Sequence, residues 1–394
     1  MVAPINESQS LYEAFDYYHM DDLLTDKQRA TRDRVRDFVQ QEVIPNINPY
    51  WEKAETPWEI IKKLPELGII GGPLAGLDMT EVGLVTFELA KGDGSVGTFY
   101  GVHSGLAMGS IGLLGSDEQK ARWMPDMLKM TKIGAFGLTE PKVGSNAVGI
   151  QTVARKDGDN YILNGAKRWI GNATLSDLLI IWARDEDGKF GGFVIENPQE
   201  TPGLTMENIW GKIGKRSVMN ADIKLEDVRV PVANRLEHVS SFRHMAQVLG
   251  MGRYGVSWEA AGAATAAFEY ALKYAKEREQ FGKPIAAFQL IQAKLVEMAS
   301  EVTAMQAMCM QLARLMTNMQ VNEGILSMAK YHNARKARLV TSLARETLGG
   351  NGIMIDNHIA RLWTDAEVIY TYEGSNEINL LIVGRDLTGE NAIV

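Results

Sequence analysis

Eleven of the twelve prolines in this chain lie at or before Pro231, and only Pro284 interrupts the residues that follow. Proline removes an amide donor and collides with the preceding helical turn, so a long stretch almost free of it can sustain long helices. From Phe288 to Met316 the apolar positions Phe288, Ile291, Leu295, Met298, Val302, Met305, Cys309, Leu312 and Met316 alternate steps of three and four. That spacing is the seam of a helix packed in a bundle. Ser240 to Arg278 and Ala329 to Leu348, rich in Ala, Met, Leu and charged residues and free of proline, also predict helices. An antiparallel four-helix bundle is therefore expected over residues 240–394.

The middle of the chain follows a different pattern. Short β-prone runs alternate with turn dipeptides: Asp157-Gly158 precedes Tyr161 to Leu163, Leu178 to Trp182 follows Asn172, and Asp187-Gly188 precedes Phe193 to Ile195. Asp-Gly pairs suit hairpin turns that need positive φ, and Ile223, Leu225 and Val228 to Pro231 supply a last strand. Before this region, Leu24 to Val43, Trp58 to Leu67, Val82 to Ala90 and Ser116 to Met130 read as shorter helices broken by Gly and Pro. The expected fold is of the α+β class, mainly α. It has an N-terminal helical domain (1–133), a middle β-barrel or sandwich domain (134–239) and the C-terminal bundle (240–394).

Composition narrows the possible functions. A chain of 394 residues with 45% hydrophobic and 23% charged residues has room for two or three globular domains. The formal net charge of -8 argues against a general nucleic-acid binder, which needs a basic face. Cys309 is the single cysteine, so no intrachain disulfide and no thiolate-clustered metal site is possible. A reducing compartment is expected. Met1 to Asp22 is polar and acidic, without a secretory pattern, and the final Asn-Ala-Ile-Val is no peroxisomal address. The expected location is the cytoplasm, with no membrane association. No Gly-x-Gly-x-x-Gly follows a strand, no Walker lysine loop occurs, and no His-Glu-x-x-His is present, so no metal site is expected. His103 and Ser104 are adjacent, but adjacency in sequence makes no catalytic triad and no elbow motif surrounds the serine.

The stretch Tyr370-Thr371-Tyr372-Glu373-Gly374-Ser375-Asn376-Glu377-Ile378 carries more information. A carboxylate between an aromatic ring and a glycine, at the end of a helical segment, suits a general base. The ring withdraws it from water and the glycine admits a ligand, and desolvation raises its pKa toward neutrality. A solvated glutamate at a helix end fits the same residues.

Four further motifs stand in order along the chain: Phe136-Gly137-Leu138-Thr139-Glu140-Pro141 with Gly144-Ser145, Lys167-Arg168-Trp169-Ile170-Gly171-Asn172, Arg278-Glu279-Gln280-Phe281-Gly282, and Glu346-Thr347-Leu348-Gly349-Gly350-Asn351-Gly352. With the Glu373 segment and the helix, β, helix plan, they resemble the acyl-CoA dehydrogenase family. The resemblance is close to the branch that holds glutaryl-CoA dehydrogenases and short-chain acyl-CoA oxidases. It implies an FAD enzyme that removes two hydrogens from the α,β carbons of an acyl-CoA. Electrons would pass to an electron-transfer flavoprotein, or to oxygen in an oxidase. A non-catalytic flavoprotein or acyl-CoA binding protein on the same fold is the alternative of another class.

The resemblance assigns roles residue by residue. Phe136, Leu138 and Thr139 would meet the flavin's pyrimidine edge, and Ser145 both the cofactor and the CoA moiety. Trp169 and Ile170 would wall the flavin, with Gly171 near its reactive nitrogen. Typical dehydrogenases carry threonine there, and short-chain oxidases carry glycine. Arg278, Gln280 and Phe281 would reach across a subunit interface to a neighbouring FAD, helped by Phe288, Gln289, Glu346, Gly349 and Gly350. At least a dimer, and by resemblance a homotetramer built as a dimer of dimers, is implied. Glu373 would take the α-proton while its backbone N-H and a flavin ribityl hydroxyl hold the thioester carbonyl. Arg253 and Tyr372 would adjoin the substrate, Gly374 would admit the acyl chain, and Ser375 and Glu377 would contact FAD. Gly97 stands where glutaryl-CoA dehydrogenases place an arginine for the substrate's carboxylate, so a short, uncharged acyl chain is expected. Residues 73–80 form a shorter loop than is usual in the family, and Asn146 replaces a common aspartate.

Overall fold

The computed structural model describes residues 15–393; residues 1–14 of the polar Met1 to Asp22 segment and residue 394 of the final Asn-Ala-Ile-Val lie outside the described residues. The N-terminal part contains α1 (Asp26–Phe38), α2 (Asn48–Lys53), α3 (Trp58–Ile61), α4 (Met79–Gly92), α5 (Gly94–Tyr100), α6 (Met108–Leu114) and α7 (Asp117–Leu128). Reciprocal caps start α1 (Thr25 with Gln28), α4 (Asp78 with Glu81) and α7 (Ser116 with Gln119). Each satisfies two amide groups that a helix start leaves unpaired.

The middle part is a single seven-stranded sheet of β1 (Gly134–Gly137), β2 (Val153–Asp157), β3 (Asn160–Gly171), β4 (Leu178–Asp185), β5 (Phe190–Glu196), β6 (Leu204–Asn208) and β7 (Asn220–Pro231). The order is β1-β4-β2-β3-β7-β6, with β5 also paired to β4. Asp157-Gly158 and Asp187-Gly188 lie in hairpins, β2 to β3 and β4 to β5. The sheet curls around its own core, where Ala135, Leu163, Leu179, Ile181, Phe193 and Ile223 meet. Its other face, with Phe136, Ile180, Trp182 and Val194, joins the core of the helices. Leu178 to Ala183 of β4 is therefore buried throughout, as a strand covered on both faces must be.

The C-terminal part has three long helices, α8 (Phe242–Glu277), α9 (Gln289–Thr317) and α10 (Glu323–Thr347), and two shorter ones, α11 (Ile359–Thr371) and α12 (Asn376–Thr388). Pro284 sits in a short hairpin between α8 and α9. The expected seam of α9 is buried from Leu295 to Leu312. Phe288, Ile291 and Met316 at its ends are half-buried. α10 packs against the other four helices, so α11 and α12 share the fourth place of the expected bundle. The break between them falls at Glu373.

One long helical run has no counterpart in the sequence expectation. α5 and α6 are joined by π-helical residues 101–107 into a rod over residues 94–114. Glycines at 97, 101, 105, 109 and 112 argue against a helix by about 1 kcal/mol each. Packing of the rod between β1 and α8 overrides that propensity. Among the described residues, no helix is long and apolar enough to cross a membrane.

Candidate active site

α11 ends where Tyr372 adopts an extended backbone, with its amide donating to Val368 O at 3.0 Å. Glu373 (φ 55°) and Gly374 (φ 79°) follow in the left-handed region. The Ser375 hydroxyl then accepts from Ile378 N and starts α12. A left-handed glutamate costs roughly 1 kcal/mol or more, so the surroundings must hold it. The buried Asn379 donates from Nδ2 to Gly374 O at 2.9 Å and to Ser375 O at 3.1 Å. The buried Lys330 donates from Nζ to Tyr370 O and to Gly374 O, each at 3.0 Å. The Tyr372 phenol donates to Glu259 and accepts from Lys215 Nζ at 2.9 Å.

The Glu373 carboxylate lies against Gly252 of α8, where a Cβ would stand 2.3 Å from Oε2. Oε2 is buried and has no hydrogen-bond partner among the described residues. Burial pushes the Glu373 pKa up to about 7, opposed by the positive charges of Arg253 and Lys330 and reinforced by Glu259. That value suits a base working near neutral pH. Arg253 is paired through Nη1 with Glu323 at 3.0 Å, and its Nε is buried and unpartnered among the described residues.

A second cluster forms where β1 ends beside β3. Lys167 Nζ donates to Leu138 O at 3.0 Å and to Glu140 Oε1 at 2.8 Å. Glu140 also accepts from Gln151 N, Thr152 N and the Thr152 hydroxyl. Arg168 N donates to Thr139 O at 2.8 Å, tying this loop to the bulge in β3 between Lys167 and Ile170. Within the bulge, Trp169 has φ 66° and is 50% exposed, with the Arg168 guanidinium 4.7 Å from its ring centroid. A bulky residue in that backbone region is rare. A strained bulge that holds an indole out of the protein gives a planar aromatic ligand a wall to stack on. Phe136 is buried on Trp182 and Ile170 is buried in the sheet. A Cβ on Gly171 would meet Val102 Cγ2 at 3.1 Å.

A third cluster lines an open groove of about 470 Å³ formed by Tyr274, Arg278, Gln280, Glu346, Gly349 and Gly350, among others. Arg278 brings a guanidinium suited to phosphate, and Gly349 (φ 58°) lets backbone approach closely. Nearby, Phe281 is 93% exposed and edge-on to Phe288 at 6.1 Å, and the exposed Gln289 opens α9. Ser145 is exposed on the loop after β1, and the exposed Glu377 accepts from the Tyr370 hydroxyl at 2.7 Å.

The first two clusters meet on the rod over residues 94–114. Lys215 Nζ reaches the Thr98 hydroxyl at 2.7 Å, Asn172 Nδ2 donates to Phe99 O at 3.2 Å, and Val102 faces Gly171. The third lies apart, at the far end of α8. His103 and Ser104 form no catalytic pair: His103 accepts from Gly134 N at 2.9 Å and meets Met127 O at 3.0 Å, pinning β1 to α7. Lys330, Gly252 and the Lys215–Glu259 and Lys167–Glu140 pairs were not singled out by the sequence reading. Lys330 had a signal, because it interrupts the apolar stripe Leu326, Ala334, Ala337 of α10.

Three family models match the chain in order: the acyl-CoA dehydrogenase N-terminal domain over residues 25–131, its middle domain over 135–228 and its C-terminal domain over 242–388. This chain belongs to the acyl-CoA dehydrogenase family. It is 36% identical over 374 residues to a probable acyl-CoA dehydrogenase, YngJ, of Bacillus subtilis (strain 168), covering 92% of this chain and 98% of that protein. A glutaryl-CoA dehydrogenase structure from Mycobacterium smegmatis shares 37% identity with a TM-score of 0.92, covering 95% of this chain and 98% of that one. A second structure of a glutaryl-CoA dehydrogenase from that organism, in complex with FADH2, shares 35% identity with a TM-score of 0.93, over 96% and 98% of the two chains. As a member of the family the chain is an oxidoreductase acting on acyl-CoA, and FAD is its cofactor. Its residues fit that group: an exposed indole on a strained bulge for a flat ring system, and an arginine with a glycine pair for phosphates.

Proposed function

We propose that the chain converts a short, uncharged, saturated acyl-CoA to the 2-enoyl-CoA, with Glu373 as the base and an electron-transfer flavoprotein as the electron acceptor. The observation that carries this reading is the Glu373 carboxylate. It is withdrawn from water, its Oε2 has no partner among the described residues, and its pKa is raised to about 7. Such an oxygen is free to take a proton from carbon. Glu373 removes the α-proton, and its backbone N-H meets the negative charge that develops on the thioester oxygen. Bound FAD supplies the acceptor for the hydrogen that leaves the β-carbon with its electron pair. Leu138, Thr139, Ser145, Trp169, Ile170 and Gly171 would hold its flavin end, with Ser375 and Glu377 at the edge. Gly374 leaves room for the acyl chain beside Tyr372. A non-catalytic role finds no support in a carboxylate so placed.

The uncharged acyl chain is supported by the partners that the protein itself gives the cations near the base. Arg253 pairs with Glu323, Lys215 with Glu259, and Lys330 binds two carbonyls. Gly97 brings no charge, so a substrate carboxylate would be buried at a cost of several kcal/mol. Gly171 favours the oxidase reading only if it leaves open space. Val102 lies so close that a side chain at 171 would force it to shift, and this supports a flavoprotein acceptor over oxygen.

The Arg278 groove serves a different cofactor from the one beside Glu373. Gly252 and Glu277 are separated by about 38 Å along α8 at 1.5 Å per residue, further than one dinucleotide reaches. A second copy of the chain, covering the exposed Phe281, accounts for both sites, and a tetramer doubles that arrangement. The single cysteine, Cys309, buried and without a disulfide partner, fits a reducing compartment such as the cytoplasm.

The test is an anaerobic titration of the holoenzyme with butyryl-CoA, following the flavin absorption band. Bleaching is expected in the wild type and absent in Glu373→Gln, which keeps its yellow colour. Full reduction of the Gln variant would remove Glu373 as the base. Slow return of colour in air supports the flavoprotein acceptor, and rapid return supports the oxidase.

A further inference from the structure

Lys330 carries a charge where packing alone would favour an apolar side chain. It is fully buried on the inner stripe of α10, next to Ala329 and one turn from Leu326 and Ala334. Among the described residues its Nζ forms no ion pair; it donates to Tyr370 O and Gly374 O, each at 3.0 Å. These carbonyls bracket the left-handed turn: Tyr370 closes α11, where helical partners run out, and Gly374 follows the base directly. A neutral amide could hold such a turn, as Asn379 does from the other side with Gly374 O and Ser375 O. An uncompensated buried ammonium costs several kcal/mol, so its charge calls for a separate explanation.

The charged groups around Glu373 supply one. From α8 come Arg253 and Glu259, from α10 Lys330, and from the adjoining chain Tyr372 and Glu377. Arg253 is paired with Glu323, and Glu259 with Lys215. Lys330 has no carboxylate within ion-pair distance, and the Glu373 Oε2 has no donor. The two groups thus influence each other's charge without forming an ion pair.

We infer that Lys330 is a positioning residue for the base: it clamps the turn that presents Glu373, and its ammonium favours the carboxylate form without occupying the oxygen that takes the proton. The inference rests on the proposed role of Glu373. A contact ion pair would stabilise the carboxylate more strongly but would block Oε2; a charge one step removed keeps it ionised and open. Burial lowers the Lys330 pKa to about 8 while Glu373 and Glu377 hold it up, so the ammonium is mostly present at neutral pH.

The experiment compares wild type, Lys330→Gln, Lys330→Met and Glu373→Gln as FAD-loaded proteins. It measures kcat/KM for flavin reduction by butyryl-CoA across the pH range, together with flavin content and circular dichroism. Lys330→Gln keeps a donor for the clamp and loses the charge, so it carries the test if Lys330→Met does not fold. Loss of the positive charge leaves Glu373 protonated to higher pH. The acid limb of the Gln variant is expected to move upward by about one unit, the lower end for a nearby opposite charge. Its kcat/KM then falls roughly tenfold well below that limb and converges on wild type above the Lys330 pKa of about 8. An unmoved acid limb in a flavin-loaded Lys330→Gln protein overturns the inference if Glu373→Gln is inactive. If Glu373→Gln reduces its flavin at the wild-type rate, the reading of Glu373 falls instead, and this inference with it.

Discussion

Adding one methyl group at Gly252 tests the site's geometry with little disturbance of the fold. An alanine Cβ there would stand 2.3 Å from the Glu373 Oε2 and 2.8 Å from its carboxyl carbon. Non-bonded contacts of this kind relax at about 3.5 Å, so the carboxylate must retreat by about 1 Å. The obstructed atoms end a flexible side chain, and no backbone has to move. Alanine in a helix interior is also worth about 0.5–1 kcal/mol over glycine. Stability and activity should therefore part. A reacting group displaced by about 1 Å loses on the order of a hundredfold in rate, which is about 2.7 kcal/mol of barrier. Gly252→Ala is expected to bind FAD normally and to melt at or above the wild-type temperature. Its flavin should be reduced roughly a hundredfold more slowly in anaerobic stopped-flow with saturating butyryl-CoA. Gly384→Ala on α12, whose Cβ meets nothing within 4 Å, isolates the helix-propensity gain and should leave the rate unchanged. A Gly252→Ala enzyme reduced within about threefold of wild type would show that the carboxylate's position against α8 does not matter, contrary to the distance dependence invoked here.

The pH dependence has a definite sign. The Glu373 pKa is raised from 4.5 to about 7, so kcat/KM should fall as the pH drops below about 7, seen as the acid limb of a pH-rate profile. For stability, the folded state favours the protonated acid; that contribution is complete below the ordinary value of 4.5 and is lost as pH rises through about 7. Glu373→Gln should accordingly melt above wild type in mildly alkaline buffer and lose that advantage in acid, and a constant difference would contradict the burial. Lys167→Met strips Glu140 of its counter-charge in the interior and should cost about 3–5 kcal/mol in urea unfolding; a change under about 1 kcal/mol would mean that the Thr152 and Gln151 contacts suffice alone. Trp169→Gly removes a strained left-handed residue and should raise apoprotein stability by about 1 kcal/mol while weakening FAD binding in a titration; unchanged FAD affinity would remove the indole from the cofactor site.

The three-part plan was legible because its parts have their own physical signatures: three-and-four periodicity for α9, proline-free helix-forming composition for α8 and α10, and Asp-Gly turns between apolar runs for the sheet. The rod at residues 94–114 was not, because glycine at 97, 101, 105, 109 and 112 speaks against a helix and only packing between β1 and α8 reverses that. The order of β1, β4 and β2 was equally hidden, since parallel pairing of β4 with β1 and β2 leaves no local trace. Glu373 stands out as the candidate base from its Tyr-Glu-Gly setting and the company of the other motifs. Its helpers could not, because Gly252, Lys330 and Glu259 come from helices far away in sequence and acquire meaning only where those helices meet. Gly171 shows the converse. Its match to the short-chain oxidases suggests oxygen as acceptor, and the structure puts Val102 against it.

A base that attacks carbon faces conflicting electrostatic demands, and if Glu373 is that base, as proposed, the arrangement around it answers them by separation. Water must be excluded, and exclusion alone favours the protonated, inactive acid. Positive charge nearby restores the carboxylate, but a cation in contact would hold the oxygen that has to receive the proton. Here the cations are given other partners: Arg253 holds Glu323, Lys330 holds Tyr370 O and Gly374 O, and Lys215 holds Glu259. Arg253 and Lys330 act on Glu373 through space, and the balance with burial and Glu259 leaves its pKa at about 7 with Oε2 unclaimed. The break between α11 and α12 serves the same end. A continuous helix would direct residue 373 along the regular helical pattern; two left-handed residues turn it toward Gly252, the one residue type on α8 that leaves the carboxylate room.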